Sequence, residues 1–222
     1  MMVRRKAFGE FLGTGLLVVT VIGSGKMATN ISNDVGVQLA INAAATVLSL
    51  SILIFIFAGI SGSHFNPVVT LSEFLRHKIS MTTAGAYLLA QFLGGFLGAV
   101  LANLMFALPA ISPSHHIRSG GHLWLGEVVA TAGLLFLLMV MEIEGKVSAA
   151  PLVISGWIGA AYFFTSSTSF ANPAVTFARS WSDSFSGIAL KSVPAFVLAQ
   201  LVGGCIGVAL ASLLKKGAQP HG

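Results

Sequence analysis

Charge is what this sequence has least of. Only 9% of its 222 residues are Asp, Glu, Lys or Arg, against about a quarter in a soluble domain. Hydrophobic residues make up 55% and mean hydropathy is +0.87, so a water-soluble fold is excluded and an integral membrane protein is expected. Cysteine is represented once, by Cys205, set among small residues. That rules out an internal disulfide and points to a small packed residue. No cluster of ligating side chains and no nucleophile beside a base falls inside the apolar stretches, so neither a metal, a cofactor nor an enzyme activity is expected. A cleaved leader pattern is missing too, because Arg4-Arg5-Lys6 runs straight into a stretch long enough to remain in the membrane.

What is present is long apolar sequence. Segments without Asp, Glu, Lys or Arg run 11–25, 35–72, 79–117, 128–141, 147–178 and 192–214, and a helical span needs about 20 mainly apolar residues. Six spans fit. Two of the segments, 35–72 and 147–178, are much longer than one span requires, and each contains an Asn-Pro pair: His64-Phe65-Asn66-Pro67-Val68-Val69-Thr70 and Phe170-Ala171-Asn172-Pro173-Ala174-Val175-Thr176. Asn is a strong helix N-cap and Pro suits the first helical position. Each pair therefore marks the start of a short re-entrant helix at membrane depth.

Other landmarks recur in the same order. Gly9-Glu10 with Thr14 returns as Gly126-Glu127 with Thr131, and Leu89-Ala90-Gln91 with Gly94, Gly95 and Gly98 returns as Leu198-Ala199-Gln200 with Gly203, Gly204 and Gly207. The chain reads as one transmembrane domain over 1–222, built from repeats of approximately 1–108 and 120–216. Three spans per half is an odd number, so the halves enter the membrane in opposite senses. The fold class expected is all-α, six transmembrane helices plus two re-entrant half-helices in an inverted 3+3 repeat. Irregular backbone survives at membrane depth only where protein or a water-lined cavity satisfies it. The loops 60–66 and 165–172 should therefore line a polar path, and the glycines should let helix backbones approach closely.

The net charge of +5 is divided unevenly. With both ends of a six-span chain on one side, that side carries Arg4, Arg5, Lys6, Arg76, Lys78, Lys146, Lys215 and Lys216, and the other Lys26, Arg118, Arg179 and Lys191. The positive-inside bias puts both termini in the cytoplasm. The basic balance reports topology and lipid contact, and no nucleic-acid partner is expected.

Ser61-Gly62-Ser63-His64-Phe65-Asn66-Pro67-Val68-Val69-Thr70 and Asn172-Pro173-Ala174, spaced within this duplication and accompanied by the paired glutamates, resemble the signatures of the aquaporin, or major intrinsic protein, family. The resemblance covers nearly the whole chain and is strongest to bacterial aquaglyceroporin-like members of the inner membrane. Physics supplies a reason for the motif: two helix N-termini meeting at mid-membrane each carry roughly half a positive charge and repel cations. The Asn66 and Asn172 amides offer donors to a passing oxygen. By matching spacing, a ladder of carbonyl acceptors falls at Gly62, Ser63 and His64, and at Thr168, Ser169 and Phe170.

The chain also departs from that family. The resemblance implies an arginine three residues after the second Asn, where Val175 stands, and Val68 replaces the usual Ala of the first motif. Counting from the asparagines puts the other filter positions at Thr46, Ala160 and Ser169, none of them aromatic. The expectation is a widened, arginine-free constriction passing water, glycerol- or urea-type solutes and neutral metalloid acids such as arsenious acid. Relatives imply that Glu10 and Glu127 brace the re-entrant loops, and that four copies assemble with one pore in each. An ion-coupled secondary transporter is the alternative, since inverted repeats and broken helices build those as well.

Among the remaining polar residues, His64 is expected to hydrogen-bond inside its loop. Val68 is expected to serve as packing. Arg179, one helical turn beyond Val175 on the same face, either snorkels to the outer interface, the simpler expectation, or reaches back toward the constriction. His115, His116 and His122 fall in the solvated connection between the halves, and Trp124 and Trp181 where an interfacial belt belongs.

Overall fold

Pro67 and Pro173 each open a helix too short to cross a bilayer, and those two helices organise everything around them. A computed structural model describes residues 2–214, and the described residues form eight α-helices without a strand. They are α1 (Met2–Ile31), α2 (Val35–Ser61), α3 (Pro67–Leu75), α4 (Met81–Met105), α5 (Gly121–Ile143), α6 (Ala150–Phe164), α7 (Pro173–Arg179) and α8 (Val193–Ser212). Six are long and apolar enough to span a membrane, α6 together with the 3-10 turn Val147–Ala149 and α8 with Leu190–Ser192. The half-helices α3 and α7 have 9 and 7 residues. The chain is an all-helical membrane protein with six spans and two half-helices.

The helix starts follow local chemistry. Asp34 caps α2 by accepting from the Val37 N–H at 2.9 Å, and the Ser80 hydroxyl accepts from Thr83 at 3.2 Å to cap α4; a cap of this kind is worth about 1 kcal/mol. In α6 and α8, which lack such a cap, Pro stands in the first turn, where its missing N–H costs nothing.

Two helix pairs hold the halves: α1 lies along α4 and α5 along α8, while α2 meets α6 across the molecule. Glycine makes the first two contacts possible. A Cβ on Gly94 would stand 2.2 Å from the Phe11 carbonyl oxygen and one on Gly98 2.4 Å from that of Gly15. Gly203 and Gly207 face the Val128 and Ala132 carbonyls at 2.5 and 2.2 Å in the same sense. The sequence repeat is thus a repeat of backbone-to-backbone contact.

We call the face where α1 begins and α8 ends the lower face; α3 descends toward it and α7 rises from the centre toward the upper one. Outward-facing side chains are largely apolar, among them Leu48, Ile52 and Leu198. Cys205 is among the outward-facing residues and not packed inside, because α8 turns its glycines, not its cysteine, toward α5. Trp181 corrects the belt expectation: it is partly buried against Phe96 and Phe177 at ring distances of 5.6 and 5.9 Å, whereas Trp124 is exposed. Lys215 and Lys216, counted above in the charge asymmetry, lie outside the described residues.

Candidate pore

The two loops that precede the half-helices have unusual backbones. After α2, Gly62 turns at φ +89°, and Ser63 and Phe65 follow at +53° and +48°. Before α7, Thr168, Ser169 and Ala171 take φ of +62°, +51° and +46°. A left-handed non-glycine residue costs about 1–2 kcal/mol, so these loops need external restraint.

Glu10 supplies it below. Its carboxylate accepts from the Ser61 hydroxyl at 2.6 Å, the His64 N–H at 3.0 Å, the Phe65 N–H at 2.6 Å and the Gln91 amide at 2.8 Å. Glu127 does the same above, accepting from the Phe170 and Ala171 N–H groups at 2.9 and 2.8 Å and from Gln200 at 2.6 Å. Both glutamates are fully buried. Gln91 and Gln200 carry each network onward, donating to Thr70 Oγ1 at 2.9 Å and Thr176 Oγ1 at 2.8 Å on the half-helices. The two halves use identical residue types. Sequence reading noted Gln91 and Gln200 only as landmarks. Their recurrence beside a charge-poor, buried setting was the available signal, since a buried amide must find partners.

His64 pairs through Nδ1 with the Thr70 hydroxyl at 3.0 Å, and the Tyr87 hydroxyl donates to the Ser61 carbonyl at 2.6 Å. Val68 meets a hole made for it: a Cβ on Gly204 would lie 2.4 Å from Val68 Cγ1.

At mid-depth the half-helices cap one another. Asn66 Oδ1 accepts from the Val68 N–H, and Asn172 Oδ1 from those of Ala174 and Val175, at 3.0 to 3.2 Å. The amide of Asn66 donates to the Ala171 carbonyl and that of Asn172 to the Phe65 carbonyl, both at 2.7 Å. Each asparagine therefore closes its own helix start and crosses to the opposite loop, which fixes the two positive helix ends against each other.

A cavity of about 510 Å³ passes this junction. It runs from Glu73, Arg76 and Glu142 near the lower face, past Asn66 and Asn172, to Arg179. One wall is aliphatic, with Leu17, Val21, Leu50, Ile54 and Leu135. The loop residues Gly62, Ser63, His64, Ser169 and Phe170 line the cavity as well. Among the described residues, no protein donor reaches the carbonyls of those five or of Thr168. Thr168 lines a second, upper cavity of about 190 Å³ instead, together with Asn42, Arg118 and Phe185.

The expected filter positions divide. Thr46 lines the main cavity and its hydroxyl lies 3.2 Å from that of Tyr162; Ser169 and Val175 line it too. Ala160 does not: it is exposed on the far side of α6, and Ile158 and Tyr162 face the cavity. Helical geometry explains the correction, because residues one turn apart share a face and a residue two positions away points elsewhere. The cavity wall therefore includes an aromatic hydroxyl, that of Tyr162, which counting from Asn172 overlooked.

Of the two courses open to Arg179, snorkelling is excluded, because the side chain is only 2% exposed. It extends from the last turn of α7, donates through Nε to the Ser186 carbonyl, and lays its guanidinium on the Phe170 ring at 3.4 Å from the centroid. It lines both cavities. The upper end of the path is thus not free of arginine. Val175 removes the guanidinium from one turn, and Arg179, four residues on along the same helix face, brings one from the next.

Ion pairs gather at the lower mouth. Glu142 accepts from Arg76 and Lys78, each at 2.5 Å, and Glu73 pairs with Arg76 at 2.8 Å. They tie the end of α3 to the end of α5.

Six spans with two half-helices capping each other over a continuous cavity define a channel-type membrane protein. A family model described as "Major intrinsic protein" matches residues 1–169, and the chain belongs to that family of channels. It is 42% identical to the aquaglyceroporin AqpS of Rhizobium meliloti (strain 1021), over 97% of this chain and 92% of the relative. It is 28% identical to the propanediol uptake facilitator PduF of Salmonella typhimurium, over 90% of each chain. Its fold is similar to the X-ray structure of the aquaglyceroporin from Plasmodium falciparum, with TM-score 0.68, 23% identity and 98% of each chain covered.

Proposed function

We propose that the protein is a passive channel for water and small uncharged hydroxylated solutes of the glycerol and urea kind, and for neutral metalloid acids such as arsenious acid. The observation that carries this reading is the reciprocal pair of asparagine amides beside five cavity-lining residues whose carbonyls have no protein donor. An amide nitrogen carries two hydrogens. One is used across the junction, and the other serves a passing hydroxyl, whose own hydrogen goes to the next carbonyl. The aliphatic wall accepts the solute's carbon side. Arsenious acid is an uncharged triol at neutral pH and presents hydroxyls as glycerol does.

Opposed helix ends and the Arg179 guanidinium disfavour a cation at two successive points along the path. Thr46, Tyr162, Ser169 and Val175, with Arg179 above them, form the selectivity filter in this reading; Glu10 and Glu127 act as braces. The relatives named for glycerol-type and propanediol passage agree with it. Small neutral solutes, water and lipid are then the partners. We further assign the protein to the cell's inner membrane, with the lower face cytoplasmic because it carries most of the basic residues. A homotetramer with a pore in each subunit follows the usual closed symmetry of such assemblies.

Swelling rates of reconstituted vesicles test the solute class. Water, glycerol, urea and arsenious acid are each expected to enter faster than in protein-free vesicles. Entry of water alone would reject the widened filter, and entry of none would reject the channel.

A further inference from the structure

The upper cavity holds more positive charge than solute passage needs. Two arginines line it, Arg118 from the connection between the halves and Arg179 from α7. Both lie against the same ring, their guanidinium carbons 5.1 and 3.4 Å from the Phe170 centroid. Each is anchored through Nε alone, Arg118 to the Gly187 carbonyl at 2.9 Å and Arg179 to that of Ser186. Among the described residues neither forms an ion pair, and their terminal nitrogens donate to no protein acceptor. The acid deepest in the neighbourhood, Glu127, is taken up by two backbone N–H groups and Gln200. The Arg179 side chain is almost fully buried and faces the cavity. Guanidinium groups held by Nε with free terminal forks are built to grip the oxygens of an anion from two sides. Thr168 contributes a hydroxyl beside them and Asn42 a side-chain carbonyl-bearing amide already committed to Val21 and Ser24.

We propose that this antechamber binds a small free oxyanion of the phosphate or sulfate class and that the bound anion plugs the path. Arg179 lines both cavities, so an anion seated on it stands across the junction between them. Transport would then respond to oxyanion on the upper side. The binding half of the proposal stands by itself; the plugging half rests on the channel reading above.

The test has two arms. In the first, protein in phosphate-free maltoside detergent without added phospholipid is titrated with inorganic phosphate, sulfate and chloride, with binding followed by calorimetry. Phosphate and sulfate are expected to bind and chloride not. Arg118→Gln should weaken phosphate about tenfold, the effect of losing one charge-assisted contact. In the second, glycerol entry into vesicles is followed with and without phosphate outside. Phosphate is expected to slow it, at about tenfold higher concentration in Arg118→Gln; the same vesicles without phosphate report whether the variant forms pores. Equal affinity in wild type and Arg118→Gln, or binding seen only when phospholipid is present, would overturn the free-anion site. Phosphate binding with unchanged glycerol entry would overturn the plug. Wild-type vesicles that pass no glycerol even without phosphate would overturn the channel reading instead, and the calorimetry would still decide the site.

Discussion

Val175 and Arg179 are neighbours on one helix face and together line the main cavity. If the narrow point takes its width from an apolar Val175 below a guanidinium from Arg179, then Val175→Arg adds a second charged fork to a space that holds one. Glycerol entry is expected to fall at least tenfold while water entry persists; unchanged glycerol entry would refute the filter assignment. Glu127 makes a second residue-scale case. In Glu127→Ala the Phe170 and Ala171 N–H groups and the Gln200 amide lose their acceptor, at about 1–3 kcal/mol for each donor left unsatisfied. A clear drop in melting temperature in detergent is expected, and an unaltered melt would show that the loop is held otherwise. The same residues show what a sequence discloses. Both glutamates and both asparagines were legible because buried polar groups in apolar sequence have few other purposes. Ala160 was misplaced because a count from Asn172 crosses an irregular loop whose length does not fix the phase of α6. Sequence leaves Arg179 between the interface and the constriction because its anchors, Ser186 and the Phe170 ring, are brought to it only by the folded upper loop.

Close helix contact depends on which atoms are opposed. Gly204→Ala drives a methyl into a side chain, Val68, whereas Gly98→Ala drives one into the Gly15 carbonyl of the α1 backbone. Overpacking typically costs about 1–3 kcal/mol. Val68→Ala should restore the melting temperature of Gly204→Ala, and no single side-chain truncation should restore Gly98→Ala; failure of the Val68 rescue would remove Gly204 as the explanation for the bulkier motif residue. The six spans and two half-helices were legible from run length and the Asn-Pro pairs. The extent of α1 was not: it continues through Arg4, Arg5 and Lys6 below and Lys26 above, since helix propensity ignores the apolar boundary. On the upper face, Asp183 ties the inter-half connection to the loop after α7, accepting from the His115 N–H at 3.0 Å and lying 2.9 Å from its ring. That backbone N–H chiefly, with the ring, holds the Asp183 carboxyl below its ordinary 3.8. A depressed folded value means the tie is fully present above the ordinary one and lost as pH falls through the lower one. Hydrogen-exchange protection at Ser114 to His116, taken relative to the intrinsic rate at each pH, should therefore be unchanged between pH 7 and 5 and fall only below about 3.8. Protection already lost at pH 5 would contradict the tie.

Across the whole molecule, three features lie in series: an ion-paired lower mouth, a mid-depth junction of two helix starts, and an upper cavity lined by two arginines. The duplication puts matched networks, Glu10 with Gln91 and Thr70 and Glu127 with Gln200 and Thr176, on opposite sides of one junction, so the centre is rigid from both directions. The ends are not matched: the lower one carries the ion-paired Glu142, Arg76 and Lys78 and the upper one presents arginines outside any ion pair among the described residues. Sequence repetition made the shared centre readable and could not disclose the unmatched ends, which arise from contacts between elements far apart in the chain. Passage through that centre is passive in this reading, and the deciding measurement is glycerol entry into proteoliposomes before and after ionophores collapse every ion gradient. The expected result is the same rate in both conditions, with the final internal concentration equal to the external one. Accumulation above the external concentration, abolished by the ionophores, would contradict it.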